Sequence, residues 1–357
     1  MRVMLVTESF YPAVDAATGT VRQVADRLVD EGQTVQVLAP GPGLATYRGA
    51  RVERVRTRDR VGGQAQRAID AFSPDLVAVH SPATLGRKAL KHARRAGVPT
   101  LTAQLSPVPE AGLPWWRAKV ADRSDRLLVS AAWVQDHLAG LDLESHLWLP
   151  GVDPAMFGPQ LRDRWLHDRW SLARSRGGRR LVVGYVGGLH RRHGVRALPE
   201  VARVPGVRPV VVGDGPQRDW LRQRMPQAQM TGTVTGGDLA TALASLDVLV
   251  HPGAQETCAH VLREAAASGV PVVAPARGAA AEVVVDGRTG VLYDPDEPGS
   301  MARALGVLAR AAASPELAAM GARARAAAVR RTWADATAEL LAVHLPAVLA
   351  PAGADAA

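Results

Sequence analysis

The chain is short of the residues that several broad protein classes need. It holds one cysteine, Cys258, in 357 residues, which excludes an internal disulfide framework and a cysteine-rich metal site. Aromatic residues make up only 4%, with three phenylalanines and four tyrosines, a poor basis for a platform that stacks nucleic-acid bases. No apolar run approaches the roughly 20 residues needed to span a bilayer. The opening Met1-Arg2-Val3-Met4-Leu5-Val6-Thr7-Glu8 reads as a short strand meeting an acid rather than as a signal peptide. Acidic residues are outnumbered, 34 against 43 Lys and Arg, giving a net charge of +9 and a pI near 10.6. The excess is nearly all arginine scattered among Ala, Gly and Val, the residue usage of a high-GC genome. It suits a basic cleft for a nucleotide diphosphate better than a nucleic-acid footprint. A cytoplasmic enzyme with at most peripheral membrane contact is expected.

What is present is a large, regularly patterned core. Hydrophobic residues make up 47% of a chain longer than one core usually accommodates, so two domains are expected. Arg2–Thr7 is an apolar strand. Thr18-Gly19-Thr20 then opens a helix with apolar positions at Val21, Val24, Ala25 and Leu28. Gly19 is either a point where backbone approaches a diphosphate or part of a plain helix entry capped by Thr18. Further strands are read at Val35–Ala39, Val52–Val55, Leu76–His80, Thr100–Ala103 and Leu127–Ser130, alternating with helices. His80 and Gln104 end their strands, where the ligands of a doubly wound sheet gather. Pro150-Gly151-Val152-Asp153-Pro154 reads as a linker, and after it the strand–helix pattern restarts at Leu181–Val186, which runs into Gly187-Gly188. The fold class is α/β, with two doubly wound parallel-sheet domains and an interdomain cleft. The boundaries are 1–150, 151–335, and a terminal segment 336–357 that returns towards the first domain and ends in a disordered Ala-rich tail.

The richest stretch runs from His251 to Ala274. Glu256 and Glu264 lie eight positions apart, roughly two helical turns, a spacing that would put both carboxylates on one helix face. Leu246–Val250 reads as a buried strand, Val261–Ser268 as a helix stopped by Gly269, and Val270–Ala274 as the next strand. Glu256 then sits on the strand-to-helix loop and Glu264 inside the helix. A carboxylate beside a helix start at the mouth of a parallel sheet suits a polyhydroxylated, phosphorylated ligand. An exposed helix with two solvated glutamates is the alternative.

Ordered motifs extend this stretch to nearly the whole chain: Thr7-Glu8-Ser9-Phe10-Tyr11-Pro12, Gly19, Ser81-Pro82-Ala83, Gly151-Val152-Asp153, Tyr185-Val186-Gly187-Gly188-Leu189, Val212-Gly213-Asp214-Gly215-Pro216, the Glu256–Glu264 pair, and Asp286-Gly287-Arg288-Thr289-Gly290. By them the chain resembles the retaining glycosyltransferases of family four, which adopt the GT-B fold, and within that family the actinobacterial GDP-mannose-dependent mannosyltransferases. The resemblance implies that Glu264 accepts hydrogen bonds from the ribose of a nucleoside-diphosphate sugar. It implies that Glu256 holds the sugar hydroxyls, with the N–H groups of Cys258 and Ala259 near the same sugar. Gly19, Gly187, Gly188 and Gly213 fall on the donor-binding side, and Gln104 stands where many relatives carry a histidine near the reacting centre. Vicinal diols suit a carboxylate, and diphosphates suit amides and cations.

The departures matter equally. The family usually has an arginine where Gly188 stands and a lysine where His193 stands, and Arg191, Arg192 and His193 are the cations on offer here. Cys258-Ala259 replaces phenylalanine and glycine, which alters the sugar pocket. Trp115 and Trp116 form an aromatic pair suited to stacking on a sugar or a lipid acceptor, or to core packing. His190 and His193, at i and i+3, lack a carboxylate partner, so no metal and no further cofactor are expected. The expected reaction is retaining transfer of a hexose-like sugar, GDP-linked by preference, to a hydroxyl, amine or thiol of a small natural-product or lipid acceptor. Closure about the Pro150–Pro154 linker would exclude water. A catalytically degenerate donor-binding partner, an epimerase or a phosphorylase on the same architecture are the alternatives.

Overall fold

The computed structural model describes residues 1–13, 15–172 and 178–350. The chain forms two compact units, one of Met1–Pro150 with the segment from Trp333 on, the other of Gly151–Thr332. In the first unit the strands are β1 (Arg2–Thr7), β2 (Thr34–Pro40), β3 (Thr46–Tyr47), β4 (Ala50–Val55), β5 (Leu76–His80), β6 (Thr100–Gln104), β7 (Arg126–Val129) and β8 (His146–Leu147). They are ordered β3-β4-β2-β1-β5-β6-β7-β8, and only the β3/β4 pair is antiparallel. Leu5 lies in register with Val37 on one side and Ala78 on the other. β5 and β6 are buried along their whole length. Helices cover both faces of such a sheet, so its strands read as continuous apolar runs rather than alternating ones.

The second unit repeats the scheme with β9 (Leu181–Val186), β10 (Val207–Val212), β11 (Gln229–Gly232), β12 (Val248–Val250), β13 (Val272–Pro275) and β14 (Gly290–Tyr293). All neighbours in the order β11-β10-β9-β12-β13-β14 are parallel. The order reverses beside β9, between β10 and β12. That is a topological switch point, where the carboxyl ends of adjacent strands leave a crevice for ligands.

Several elements differ from the sequence reading. The strand expected from Leu246 begins at Val248. Leu246 still belongs to the turn that ends the preceding helix, its N–H donating to Leu243 O at 3.2 Å, and its side chain fills the space above Gly184 of β9. The helix expected from Val261 spans His260–Ala267, and Gly269 (φ +72°) stops it in the left-handed conformation that glycine adopts without strain. The chain rejoins the first unit at Trp333, three residues before the boundary read from sequence. The Ala-rich tail lies outside the described residues, as do Arg176 and Gly177.

The return segment is anchored by an indole. Trp148 is fully buried, its Nε1–H donates to Ala336 O at 2.8 Å, and its ring lies 6.5 Å from that of Trp333. Arg126 Nε–H adds a bond to His344 Nδ1 at 3.2 Å. Trp148→Ala should therefore cost about 3–5 kcal/mol, read by chemical denaturation. Trp148→Phe should cost less but expose the segment after Trp333 to limited proteolysis, because the Ala336 carbonyl loses its partner.

Candidate functional site

The loop after β12 carries the first carboxylate, and three close approaches at glycines hold it, two of them to backbone. A Cβ on Gly194 (φ +70°) would lie 2.2 Å from Pro252 O, one on Gly278 (φ +66°) 2.7 Å from Ala254 O, and one on Gly253 2.9 Å from His251 Nε2. Ala279 N–H also donates to Glu256 O at 2.9 Å, and His251 N–H to Val273 O at 2.9 Å. The loop is thus wedged between the Arg191–His193 turn and the helix Ala279–Val283.

Within it the Glu256 carboxylate is engaged on both sides. Oε1 accepts from the backbone N–H groups of Thr257 (3.2 Å), Cys258 (3.2 Å) and Ala259 (3.1 Å). Oε2 stands 3.4 Å from His251 Nε2. Burial by itself would raise the carboxyl, but His251 and the amides of Ala259 and Cys258 outweigh it and hold the group at about 2. The N–H groups of Cys258 and Ala259, expected near the donor sugar, are here bonded to Glu256 itself. The reason is local: these amides belong to the loop that turns back over Glu256 just before the helix, whose positive dipole end favours a negative group there. Ala259, at the helix entrance, takes φ +51°, a left-handed conformation that costs a non-glycine residue about 1–2 kcal/mol.

Glu264 is the opposite case. It lies in the second turn of His260–Ala267, and no side chain pairs with its carboxylate among the described residues. Burial alone pushes it up to about 7. Because the helix begins only at His260, the eight-residue spacing does not put the two acids on one helical face. It puts one ionised carboxylate at the entrance and one recessed carboxyl, its charged form disfavoured by burial, further in.

The glycines at the ends of β9 and β10 fit against one another. A Cβ on Gly213 (φ +141°) would meet Gly187 O at 2.0 Å, and Tyr185 Oη–H donates to Gly188 O at 3.0 Å. Gly187 and Gly213 therefore shape the crevice through close backbone contact. In the Arg191–His193 turn, Arg192 Nε–H donates to His193 Nε2 at 3.0 Å. Burial, then Arg192, lowers His193 below the usual histidine range, so it stands as a neutral acceptor in the position where the resemblance expects a lysine. Arg191 is exposed and is the cation of this turn with no pairing among the described residues. The rings of His190 and His193 lie 5.8 Å apart, and no group of three or more metal-ligating side chains occurs among the described residues.

The first unit holds the other two candidates. Gly19 sits in the first turn of the helix Ala16–Asp30, with its N–H bonded to Asp15 O at 2.9 Å and nothing within 4 Å of the position of a Cβ. It offers open space rather than a free amide, and the cap is Asp15, accepting from Thr18 N at 2.8 Å, not Thr18. Gln104 is buried and fully engaged: Nε2 donates to Ser106 O (2.8 Å) and Oγ (2.9 Å), while Trp116 Nε1–H donates to its Oε1 at 3.4 Å. The aromatic pair divides accordingly. Trp116 is buried against Gln104, while Trp115 is half-exposed with the Arg87 guanidinium 4.1 Å from its ring centroid. His80 is buried with both ring nitrogens unpaired, and burial lowers it to about 4.

His251 is the residue the sequence reading passed over. The available signal was the one that singled out His80 and Gln104, a polar side chain ending a buried parallel strand.

The Glu264 carboxyl makes a prediction of its own. Its folded-state value lies above its unfolded one, so the native chain retains a proton the unfolded chain has lost. Stability should fall as pH rises from about 4.5 to about 7. Glu264→Gln should remove that slope and stabilise the protein at pH 8 by about 1–3 kcal/mol, the lower end favoured by the residue's partial exposure. Denaturation midpoints measured across pH check this.

Comparison with known proteins accounts for the arrangement. Residues 17–156 match Glycosyltransferase Family 4, and residues 180–311 match Glycosyl transferases group 1. A GDP-mannose-dependent alpha-mannosyltransferase of Mycolicibacterium smegmatis is 36% identical over 83% of this chain and 85% of its own. One from Mycobacterium tuberculosis is 37% identical over 82% and 83%. Among solved structures, sucrose-phosphate synthase from Thermosynechococcus elongatus superposes with a TM-score of 0.79 at 19% identity, covering 97% of this chain and 98% of that one. HepE of Anabaena in complex with UDP and glucose gives 0.77 at 19%, covering 96% and 98%. With two parallel-sheet units of the GT-B type and relatives of this similarity along most of its length, the chain is a glycosyltransferase and belongs to family four.

Proposed function

We propose that the protein is a retaining transferase that moves mannose, or a closely similar hexose, from its GDP conjugate to a hydroxyl, amine or thiol of a small natural-product or lipid acceptor. The observation that carries the reading is the recessed, unpaired carboxyl of Glu264 beside the ionised, amide-held Glu256. A ribose diol donates two hydrogen bonds to a carboxylate, and a polar pocket with no internal partner gains most from such a ligand. Glu256 presents a fixed negative group to the sugar hydroxyls. Arg191 and Arg192, both exposed in the turn that follows β9, are the cations that would neutralise a leaving diphosphate. The identity of the relatives supports the guanine nucleotide and mannose. The acceptor rests on chemistry alone: Trp115 is an exposed aromatic face of the kind that stacks on apolar or sugar surfaces.

A second reading, a donor-binding protein without turnover, is favoured by His193 standing as a neutral acceptor where a permanent cation would be expected. Release of nucleoside diphosphate separates the two, since the second reading binds donor and releases none.

Thermal stabilisation by a panel of GDP-, UDP-, ADP- and dTDP-sugars tests the donor. GDP-mannose at about 100 times its dissociation constant should add about 2.7 kcal/mol, and a shift with UDP-sugars but none with GDP-sugars would overturn the assignment. Glu264→Ala should weaken every nucleotide, whereas Glu256→Ala should abolish transfer and spare free GDP. Equal loss of GDP affinity in both variants contradicts the division of roles.

A further inference from the structure

We propose that the first unit holds a site for an oxyanion, a phosphate or carboxylate carried by the acceptor, with Arg56 and Arg58 as its ligands and Arg54 as a fixed positive charge beside them. The inference rests on the transferase reading above and narrows its acceptor to an anionic one.

The site begins where two strands part. The β2/β4 ladder closes with Pro40 in register with Val55 and with the Gly41 N–H donating to Val55 O at 3.0 Å. Beyond that bond the chain after β2 turns off through Gly41 and Pro42, while the chain after β4 runs on through Arg56 to Arg58. A cavity of about 560 Å³ lies between them, within the range of roughly 300–1,000 Å³ usual for small-ligand sites. It opens at the carboxyl ends of β2 and β4, the edge of a doubly wound sheet where ligands gather. Neighbouring strands lie about 4.8 Å apart, so the order reversal beside β1 is roughly 10 Å away along the same edge.

Three arginines and no acid line this cavity among the described residues. Arg54 is held by carbonyls: its Nε, Nη1 and Nη2 donate to Leu44 O (2.9 Å), Pro40 O (2.9 Å) and Tyr11 O (2.6 Å). Carbonyls satisfy the hydrogen bonds of a guanidinium without cancelling its charge, and burial disfavours that charge. An anion close by therefore stabilises it. Tyr11 is itself fixed, stacked on Tyr47 at 5.8 Å with Phe10 edge-on to both rings. A Cβ on Gly43 would strike both Tyr11 O and the Arg54 guanidinium, so the loop closes on this arginine only because residue 43 is glycine. Arg56 is fixed through its backbone, its N–H donating to Gln64 Oε1 at 2.9 Å and its O accepting from Gln64 Nε2 at 3.0 Å.

The side chains of Arg56 and Arg58 are exposed and bond to no group among the described residues. Nearby arginines behave differently: Arg48 pairs with Asp30 at 2.8 Å and Arg51 with Glu53 at 2.7 Å. Asp59, the acid next to them in sequence, pairs with neither. Two guanidinium forks with no counter-ion, lining one cavity with a third fixed positive charge, match the paired acceptor oxygens of a phosphate or carboxylate.

Ligand-observed NMR titration of the purified full chain tests the site, with GDP held at saturation so that the donor's own phosphates do not compete. The probes are glucose 6-phosphate and glucuronate, each against glucose. At least one anion should bind about tenfold or more tightly than glucose, the scale of one charge-assisted hydrogen bond. In Arg56→Gln/Arg58→Gln that advantage should fall to about twofold or less, while GDP affinity stays within about twofold of wild type. Arg94→Gln/Arg95→Gln removes the same charge from an exposed helix end and should leave the advantage intact. A native protein with no preference for either anion overturns the proposal. So does a preference that survives Arg56→Gln/Arg58→Gln, or one lost equally in Arg94→Gln/Arg95→Gln, which marks a general charge effect. Co-sedimentation with phosphatidylglycerol vesicles, against phosphatidylcholine, then identifies the source. Vesicle binding lost in Arg56→Gln/Arg58→Gln assigns the oxyanion to a lipid headgroup, and vesicle binding absent or unchanged assigns it to a soluble acceptor. The two levels stay apart: a native protein that binds neither GDP nor GDP-mannose fails the transferase reading and this proposal with it, whereas GDP binding without an anion preference removes only the arginine site.

Discussion

The second unit depends on one electrostatic constraint, a carboxylate facing the backbone amides of the loop that leads into a short helix. Three N–H groups converge on Glu256 Oε1, and His251 together with the Ala259 and Cys258 amides holds the acid ionised against its burial. The surrounding chain is arranged to keep it there. Gly194, Gly253 and Gly278 each admit an approach that a side chain would block, so the loop is clamped by backbone from two neighbouring segments. The helix that follows these amides carries Glu264, whose charged form burial disfavours. Two chemically identical side chains thereby differ in environment, Glu256 held ionised on the loop and Glu264 pushed up to about 7 by burial in the eight-residue helix.

Much of this was legible in the sequence. Strand–helix alternation and continuous apolar strands specified two parallel sheets, because only a sheet covered on both faces tolerates strands such as Leu76–His80 and Val207–Val212. The motif order specified the family, and the run Leu262–Gly269 specified where the helix would stop. What the sequence did not reveal lies in short-range competition for hydrogen bonds. Asp15 rather than Thr18 caps the first helix because a carboxylate at that position reaches the Thr18 amide. The resemblance puts the amides of Cys258 and Ala259 near a sugar, but both bond to a glutamate two or three residues earlier. Leu246 looked like strand and became the filler above Gly184. None of these outcomes follows from periodicity, since each turns on which of two nearby groups arrives at the right distance.

The cation side of the site shows the same limit more sharply. Sequence spacing identified Arg191, Arg192 and His193 as the charges available where the family pair is missing. It gave no sign that Arg192 and His193 would bond to one another, although both Arg191 and Arg192 are exposed. Gln104 likewise keeps its strand-end position but spends its amide on Ser106 and Trp116. In both cases residue type and position were readable, and the partner that decides availability was not.

The central claim is that the recessed Glu264 carboxyl exists to receive the two hydroxyls of a ribose. It is tested most directly by comparing GDP with 2′,3′-dideoxy-GDP in the native protein and in Glu264→Gln. If the claim holds, removing the hydroxyls weakens binding on the order of 10- to 100-fold in the native protein, the value of one or two hydrogen bonds to a charged group, and by no more than about threefold in the variant. An equal loss in both proteins would contradict it, because the hydroxyls would then be read by some group other than Glu264.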